Sequence, residues 1–291
     1  MSEYLTTKEL AKLLRIKERK VYDLAASGKV PCSRAMGKLL FPREAVDAWL
    51  VRRSSGLDGL MSTPLPSVFL GSHDPLLEWA LRQSQCGIAT YFDSSLDGIA
   101  RFAGREGLAT GLHLYDAKSN DWNVPVVREH CGMLPVVLVE WSKRQRGLIL
   151  GNALDKHVST VADLKGRRIV PRQAEAGAQA LMVHVLTAAG LAPDDLDLLP
   201  PVLTEVDAAL AVLEGKADAT FGLAALAAQC RLPFVPVMEE RFDLVVDRRG
   251  WFEPPMQRFM DFCQTPAFVS HAADLDGYDI SGFGTVHFNA P

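Results

Sequence analysis

The chain has 291 residues, enough for two or three domains with cores of their own, and 48% of them are hydrophobic. No apolar run reaches transmembrane length and no signal-peptide pattern is present, so we expect a cytoplasmic protein without a membrane partner. The five cysteines are scattered and odd in number, which predicts reduced thiols and argues against a disulfide framework. We expect no metal site and no cofactor.

The charge changes sign along the chain. Residues 1–56 contain 12 Lys and Arg against 6 Asp and Glu, whereas the remaining 235 residues contain 19 against 29. A basic module followed by an acidic one indicates that only the first part meets a polyanion.

Two short helices are predicted in the basic module. Thr6 and Glu9 have capping-box spacing before a helix over Thr7–Leu14, and a three-residue turn leads to a second helix over residues 18–27. Gly28 ends the second helix. Two helices joined by so short a turn are typical of a helix-turn-helix.

A β-ribbon and a third helix follow. Gly37 predicts a turn that presents Arg34 and Lys38 near the tip of a wing, and Pro42 opens a third helix at its first position.

This stretch resembles the winged helix-turn-helix of the excisionase and MerR-like DNA-binding group. The matching segments are residues 5–11 (LTTKELA), 21–22 (VY), 27–31 (SGKVP) and 41–50 (FPREAVDAWL).

The resemblance implies five DNA-contacting side chains and one partner, double-stranded DNA. Lys17, Arg19 and Lys20 are expected to enter or flank the major groove. Arg34 and Lys38 are expected to contact phosphates from the wing. Glu18 and Asp23 depart from a purely basic helix face, and the alternative is a solvated basic surface without a nucleic-acid role.

A linker over residues 54–66, rich in Ser, Gly and Pro, separates residues 1–53 from the acidic module. In that module β-type runs alternate with helical ones, which predicts an α/β domain with a largely parallel sheet. Strands are expected at residues 68–71, 88–92, 110–114, 134–139, 147–150 and 168–170, and helices at 75–83, 96–105 and 178–189.

The order of motifs resembles the periplasmic-binding-protein-like domain, of molybdate-binding type, that follows helix-turn-helix modules in one-component bacterial regulators. The matching segments are residues 71–75, 95–99, 111–114, 144–148, 151–152, 172–173, 215–219, 234–236 and 240–243. The resemblance implies two lobes over residues 67–291. The first lobe would hold residues 67–138 and 247–291 and the second residues 139–246, with crossing strands near residues 137–140 and 242–246.

Several polar residues are expected at the cleft between these lobes. Ser72 follows the first strand, where it either caps the next helix or donates to a ligand. Ser94 and Ser95 precede a helix, where hydroxyl and amide groups favour an anion. His113 ends a β-run, and its alternative is an ordinary core histidine.

Arg144 and Arg172 are the predicted partners of an anionic ligand, and the alternative is a salt bridge with Asp243 or Glu240. Backbone amides at Gly177 and Ala178 would complete the site. The genomic context of the family suggests a molybdate- or tungstate-type oxyanion as the ligand. Residues 175–179 (EAGAQ) depart from the Gly-Ser-Gly-Thr-Arg-like loop of many relatives and lack its hydroxyls and arginine.

No signature of catalysis is present: the chain lacks GxSxG, P-loop, HExxH and Rossmann motifs, and nothing in the spacing demands a Ser95–His113 dyad. The sequence therefore predicts a ligand-responsive transcriptional regulator, not an enzyme, that binds operator DNA as a homodimer. The alternative is a small-molecule or molybdenum-cofactor-handling protein whose basic module docks a protein partner.

Overall fold

The computed structural model describes residues 4–35, 38–53, 64–154 and 157–290. The chain divides into two compact units, Met1–Pro64 and Leu65–Ala290. Residues 54–63 of the predicted linker lie outside the described residues. Within the described part, none of the helices combines the length and the apolar character needed to cross a bilayer.

In its described residues, the first unit is a small three-stranded antiparallel sheet with three helices. Its elements are β1 (Tyr4–Thr6), α1 (Thr7–Leu14), α2 (Glu18–Ala26), β2 (Ser33–Ala35), β3 (Lys38–Pro42) and α3 (Arg43–Arg53). The strand order is β1-β3-β2. The predicted helix-turn-helix and β-ribbon are present, and β1 is a strand that the sequence did not predict.

Local signals fix the helices of this unit. The Thr6 amide donates to Glu9 at 2.7 Å and the Glu9 amide donates to the Thr6 hydroxyl at 3.3 Å, which is the predicted capping box. The expectation that Pro42 opens the third helix is wrong: Pro42 pairs with Tyr4 as the last residue of β3, and α3 begins at Arg43. Pairing with the unpredicted strand β1 keeps the chain in the extended conformation of β3 as far as Pro42.

The second unit contains one ten-stranded sheet with helices. Its first elements are β4 (Val68–Gly71), α4 (Pro75–Gln83), β5 (Ala89–Phe92), α5 (Ser95–Ala103), β6 (Ala109–Leu112), β7 (Tyr115–Asp116), β8 (Asp121–Trp122), α6 (Val124–Cys131) and β9 (Val136–Leu150). Next come β10 (Arg168–Ile169), α7 (Gly177–Ala188), β11 (Asp197–Leu198), α8 (Glu205–Leu213), β12 (Ala219–Leu223), α9 (Ala224–Gln229) and β13 (Phe234–Asp247). The last are α10 (Arg248–Trp251), α11 (Pro254–Phe262), α12 (Pro266–Ala273), β14 (Tyr278–Asp279) and β15 (Val286–Asn289).

The sheet is mixed, not largely parallel. Its main order is β11-β10-β12-β9-β13-β6-β4-β5, and β14 and β15 also pair with β9. The outer pairs are parallel, whereas β12–β9, β9–β13 and β13–β6 are antiparallel. Helical crossovers explain the parallel pairs, but the antiparallel centre arises because β9 and β13 run through both lobes in opposite directions.

Two lobes with separate hydrophobic cores share β9 and β13. Residues 136–141 and 242–246 pack in the cores of the first lobe, and residues 148–150 and 234–238 pack in those of the second. The crossing segments are therefore residues 142–147 and 239–241. The predicted crossings at 137–140 and 242–246 fall inside the first lobe, because the alternation of a strand does not reveal which core its side chains enter.

Candidate functional site

A cavity of about 250 Å³ lies between the two lobes of the second unit. The first lobe contributes Ser72, His73, Phe92, Asp93, Ser94 and His113 to its wall. The second lobe contributes Arg172, Ala176, Gly177, Ala178, Leu203, Thr204 and Glu205. The predicted ligand-binding residues Ser72, Ser94, His113, Arg172, Gly177 and Ala178 are thus brought together, while Ser95 and Arg144 are not part of the wall.

Three helix N-termini reach this cavity. Ser94 caps α5 by accepting the Asp97 amide at 3.1 Å, and Thr204 caps α8 by accepting the Asp207 amide at 3.0 Å. The first turn of α7 receives no hydrogen bond from the side chain of its capping residue, Ala176. Its first amides are therefore the donors that suit a negative group of a ligand.

The lobes approach each other closely at Gly177. A β-carbon at this position would lie 2.9 Å from the backbone oxygen of His113, 3.2 Å from its Cε1 atom and 3.3 Å from Ser95 Oγ. Only a residue without a side chain fits such an approach without displacement, so the glycine allows α7 of the second lobe to close against the first.

The predicted serines have different roles. Asp74, not Ser72, caps α4 by accepting the Leu77 amide at 2.7 Å. Ser72 Oγ lies 2.7 Å from Ser95 Oγ, and Ser95 Oγ accepts the backbone amide of His113 at 3.3 Å. Ser95 is fully buried and supports the cavity wall from behind.

His113 is a buried wall residue with one fixed partner. Its Nδ1 atom lies 3.1 Å from Glu240 Oε2, and its ring stacks on Phe242 at 5.9 Å between centroids. Burial lowers the pKa of His113, and the neighbouring carboxylate of Glu240 only partly offsets this effect. The histidine is therefore neutral at pH 7.

Arg172 lines the cavity, but its guanidinium already contacts the chain. It donates to the backbone oxygens of Val202 at 3.3 Å and Leu203 at 2.5 Å, and it lies 4.0 Å from Glu205. Because these contacts engage it, Arg172 shapes the wall near residues 202–205 as well as contributing a positive charge.

The structure corrects the role predicted for Arg144. This side chain is 1% exposed and pairs with Asp74 at 2.8 Å and with Glu240 at 2.5 Å, so the salt-bridge alternative with Glu240 is what is observed. Asp243 instead pairs with Arg241 at 3.0 Å.

Sequence reasoning missed Arg146, which is fully buried two residues further along β9. It donates to Glu240 at 2.7 Å and to Glu205 at 2.8 Å. Although burial raises the pKa of Glu240, Arg144 and Arg146 outweigh it and hold that pKa well below the usual range. The signal was the two-residue spacing of the arginines, which places both on the same face of a strand.

Two acidic wall residues, Asp93 and Glu205, were also missed. Burial raises the pKa of Glu205, but Arg146 outweighs this effect and keeps the pKa below its usual value. Among the described wall residues, Arg172 is the single Lys or Arg opposite these two carboxylates. The wall therefore does not carry a net positive charge.

The first unit presents its predicted basic residues at the surface. Lys17, Arg19, Lys20 and Lys38 are exposed. Arg34 pairs with Leu39 in the β2–β3 ribbon, while its side chain and the turn at residues 36–37 lie outside the described part. An open groove beside α2 is lined by Tyr22, Lys8 and Lys38 among others. Tyr22 belongs to a segment that carries the helix-turn-helix resemblance, but no DNA contact was predicted for it.

No group of three or more His, Cys, Asp or Glu side chains is arranged to hold a metal among the described residues. The five cysteines are free thiols, as the sequence predicts. Burial raises the pKa of the Cys131 thiol to about 12, so this group is not a reactive thiolate.

The molecule thus combines a helix-turn-helix unit with a two-lobed α/β unit that encloses a cavity. The chain belongs to the PBP superfamily, whose domain model matches residues 78–264. A model described as a helix-turn-helix domain matches residues 4–54. Together these matches define a DNA-binding unit joined to a ligand-binding unit.

Comparison with known proteins gives the following similarities. The chain is 25% identical over 302 residues to the uncharacterized protein YvgK of Bacillus subtilis (strain 168), covering 97% of this chain and 96% of that protein. An ancestral amino acid-binding protein, a precursor of cyclohexadienyl dehydratase, superposes with a TM-score of 0.50 at 8% identity over 72% of this chain and 93% of that one. The LysR family transcriptional regulator CbnR gives a TM-score of 0.44 at 16% identity over 89% and 94% of the two chains.

Proposed function

We propose that this protein is a transcriptional regulator that binds operator DNA through its first unit and a small ligand through the cavity of its second. The observation that carries the proposal is the combination of a helix-turn-helix whose helix α2 exposes Arg19 and Lys20 with a PBP superfamily domain whose lobes enclose a polar cavity. Its expected working form is a homodimer, because paired helix-turn-helix units read the two halves of an operator.

For the ligand, we propose a small molecule that carries both a negative group and a hydrogen-bond donor, as an amino acid does. The amides of α7 suit a carboxylate, while Asp93 and Glu205 suit an ammonium group. A volume of about 250 Å³ fits a ligand of this size. One protein of similar fold is an ancestral amino acid-binding protein, in line with this class.

The molybdate- or tungstate-type oxyanion expected from the sequence is not supported. A dianion would face the carboxylates of Asp93 and Glu205, while Arg172 is engaged by backbone oxygens. Like charges in a partly buried site oppose binding. The charge of the cavity wall therefore disfavours an oxyanion, as does the lack of hydroxyls and arginine at residues 175–179.

Ligand binding would act through the crossing segments 142–147 and 239–241. A ligand that contacts both lobes binds the closed arrangement more tightly than the open one. Only the difference between these two affinities can change DNA binding. Gly177 is a point of close approach between the two lobes.

We further propose that the cavity binds its ligand without transforming it. A serine–histidine dyad would need the Ser95 hydroxyl on the ring of His113, but this hydroxyl contacts the backbone amide of His113 and the hydroxyl of Ser72. The ring nitrogen Nδ1 faces Glu240 instead.

DNA binding is tested with a labelled fragment from upstream of the protein's own coding sequence, titrated at about 50 to 300 mM salt. We expect a steep loss of affinity with salt, since phosphate contacts release counterions. No binding at low salt would favour the alternative, a small-molecule carrier whose basic unit docks a protein.

Ligand binding is tested by thermal shift and calorimetry with the twenty standard amino acids and with sodium molybdate. We expect an amino acid to bind and molybdate not to bind. Gly177→Ala should weaken that binding at least tenfold because its methyl group opposes closure, whereas Gly151→Ala, whose β-carbon would meet its nearest atom at 3.5 Å, serves as the matched control. Binding of molybdate alone would restore the oxyanion.

A further inference from the structure

The carboxylate of Glu240 sits in the crossing segment of β13 and is fully buried. It accepts hydrogen bonds from Arg146 at 2.7 and 2.8 Å and lies 2.5 Å from an Arg144 nitrogen. Its Oε2 atom also lies 3.1 Å from His113 Nδ1. One side chain of the crossing segment thus contacts a wall residue of the cavity and two buried arginines.

These contacts decide which nitrogen of His113 carries the proton. A carboxylate between two guanidinium groups is ionised and only accepts hydrogen bonds, so the ring nitrogen that faces it must be an N–H donor. A doubly protonated ring would add a third buried cation to Arg144 and Arg146, in a side chain that is 4% exposed. His113 is therefore neutral with its proton on Nδ1, and Nε2 keeps a free lone pair.

We propose that Glu240 is a positioning residue that sets ligand specificity: by holding His113 in its Nδ1–H form, it makes this part of the cavity wall a hydrogen-bond acceptor, which selects a ligand with an N–H or O–H donor. The proposal rests on the proposed function, because it assigns the ligand chemistry of the same cavity.

The rest of the buried chain keeps Glu240 in this role. Arg146 extends from Glu240 to Glu205 on the opposite wall, with 2.8 Å between Arg146 and Glu205. Arg144 extends to Asp74, which also accepts from Tyr278 at 2.6 Å. The carboxylate is therefore fixed from both lobes and cannot rotate away from His113 without losing its contacts with these arginines.

The chemical consequence is selection against ligands that only accept hydrogen bonds. Molybdate and sulfate present oxygen acceptors and no donor at neutral pH, so they would place one lone pair against another at His113 Nε2. A ligand with an ammonium or hydroxyl group satisfies the same atom.

The first experiment reads the tautomer directly. Nitrogen-15 NMR of the histidine side chains in the full chain at pH 7, assigned with His113→Gln, should show Nδ1 protonated and Nε2 bare. Glu240→Gln should lose this fixed tautomer, because an amide N–H turned away from the arginines faces the ring. Glu239→Gln, the same change on the exposed neighbouring residue, should leave it intact. An Nε2–H or cationic ring in the unmodified protein overturns the proposal.

Because Glu240→Gln removes a buried negative charge that Arg144 and Arg146 share, a second variant protects the test against misfolding. Glu240→Gln combined with Arg146→Gln removes one charge of each sign and should also release the tautomer. The amino acid that gives the largest thermal shift with the unmodified protein then serves as probe: we expect at least tenfold weaker binding and a smaller preference over molybdate. Unchanged affinity and preference despite a released tautomer would reduce Glu240 to a structural role. If no amino acid binds the unmodified protein, the proposed ligand class fails and with it the selection of such a ligand by Glu240, whereas the NMR result still shows whether Glu240 fixes the tautomer of His113.

Discussion

The two units of this protein use charge in opposite ways. In the first unit the basic side chains Lys17, Arg19 and Lys20 are exposed and extend into solvent. In the second unit the central charges are buried, as Arg144, Arg146 and Glu240 are each at most 1% exposed. Exposed charges can meet a partner and are screened by salt, whereas buried charges act on each other and are screened much less.

This difference separates what mutations should do in each unit. Removing an exposed charge leaves no unpaired group in the core, so binding changes and the fold does not. Removing a buried charge leaves its partner without compensation in a medium that solvates ions poorly. Four predictions test this contrast, beginning with the largest effect.

Arg146→Met should lower the free energy of unfolding by about 3–5 kcal/mol, because Glu240 and Glu205 would stay buried without their shared partner. Chemical denaturation of the full chain measures this loss. Arg168→Met is the matched control, since the Arg168–Asp218 pair is exposed to solvent and should matter far less. Equal losses for both variants would contradict the contrast between buried and exposed charge.

Arg19→Ala and Lys20→Ala should each weaken DNA binding several-fold and reduce the steepness of its salt dependence by about one phosphate contact. Fluorescence anisotropy at several salt concentrations measures both quantities. The thermal shift caused by the ligand should not change, because these residues belong to the other unit. Lys165→Ala, an exposed lysine of the ligand-binding unit, should leave DNA affinity unchanged.

Asp243 should make stability depend on pH in a defined direction. Burial raises the pKa of Asp243 to about 6, so the folded protein retains a proton that the unfolded chain releases near pH 4. The contribution of this group to stability is thus greatest below the unfolded pKa and is lost as pH rises through 6.

Asp243→Asn removes this titration. Relative to the unmodified protein, the variant should gain about 1 kcal/mol in unfolding free energy between pH 5 and pH 7.5. Denaturation at the two pH values gives the difference, and any fixed cost of the substitution cancels in it. No difference between the two pH values would mean that Arg241 and Asn123 hold this carboxylate ionised.

Thr6→Ala should have the smallest effect, confined to the start of α1. Loss of the capping hydroxyl should speed amide hydrogen exchange in α1 about fivefold. Thr6→Ser keeps the oxygen that accepts the Glu9 amide and should exchange like the unmodified protein. Faster exchange in both variants would mean that the methyl group, not the cap, stabilises this turn.

The first unit was largely predictable from sequence because its signals are local. The capping box at Thr6 and Glu9 and the turn before α2 lie within a few residues of what they determine. The cavity wall was partly predictable for the same reason. Ser94 and Gly177 lie at the starts of helices. In a domain where strands and helices alternate, the helix starts lie at one edge of the sheet.

The remaining features depend on contacts between distant parts of the chain. Glu205 and Arg146 are 59 residues apart, and the sequence around either residue does not predict its contact with the other. The continuity of β9 was missed because Gly147 and the polar residues 142–146 interrupt its apolar pattern. They do so where the strand passes between two cores.

The pairing of β9 with β13 has a consequence for how the second lobe could have been acquired. Its chain leaves and returns through neighbouring antiparallel strands, with Arg144 opposite Glu240 at the crossing. A tight hairpin joining the strands at that point would close the first lobe without disturbing the order of its remaining strands. The second lobe thus has the topology of an insertion into a smaller ancestral domain.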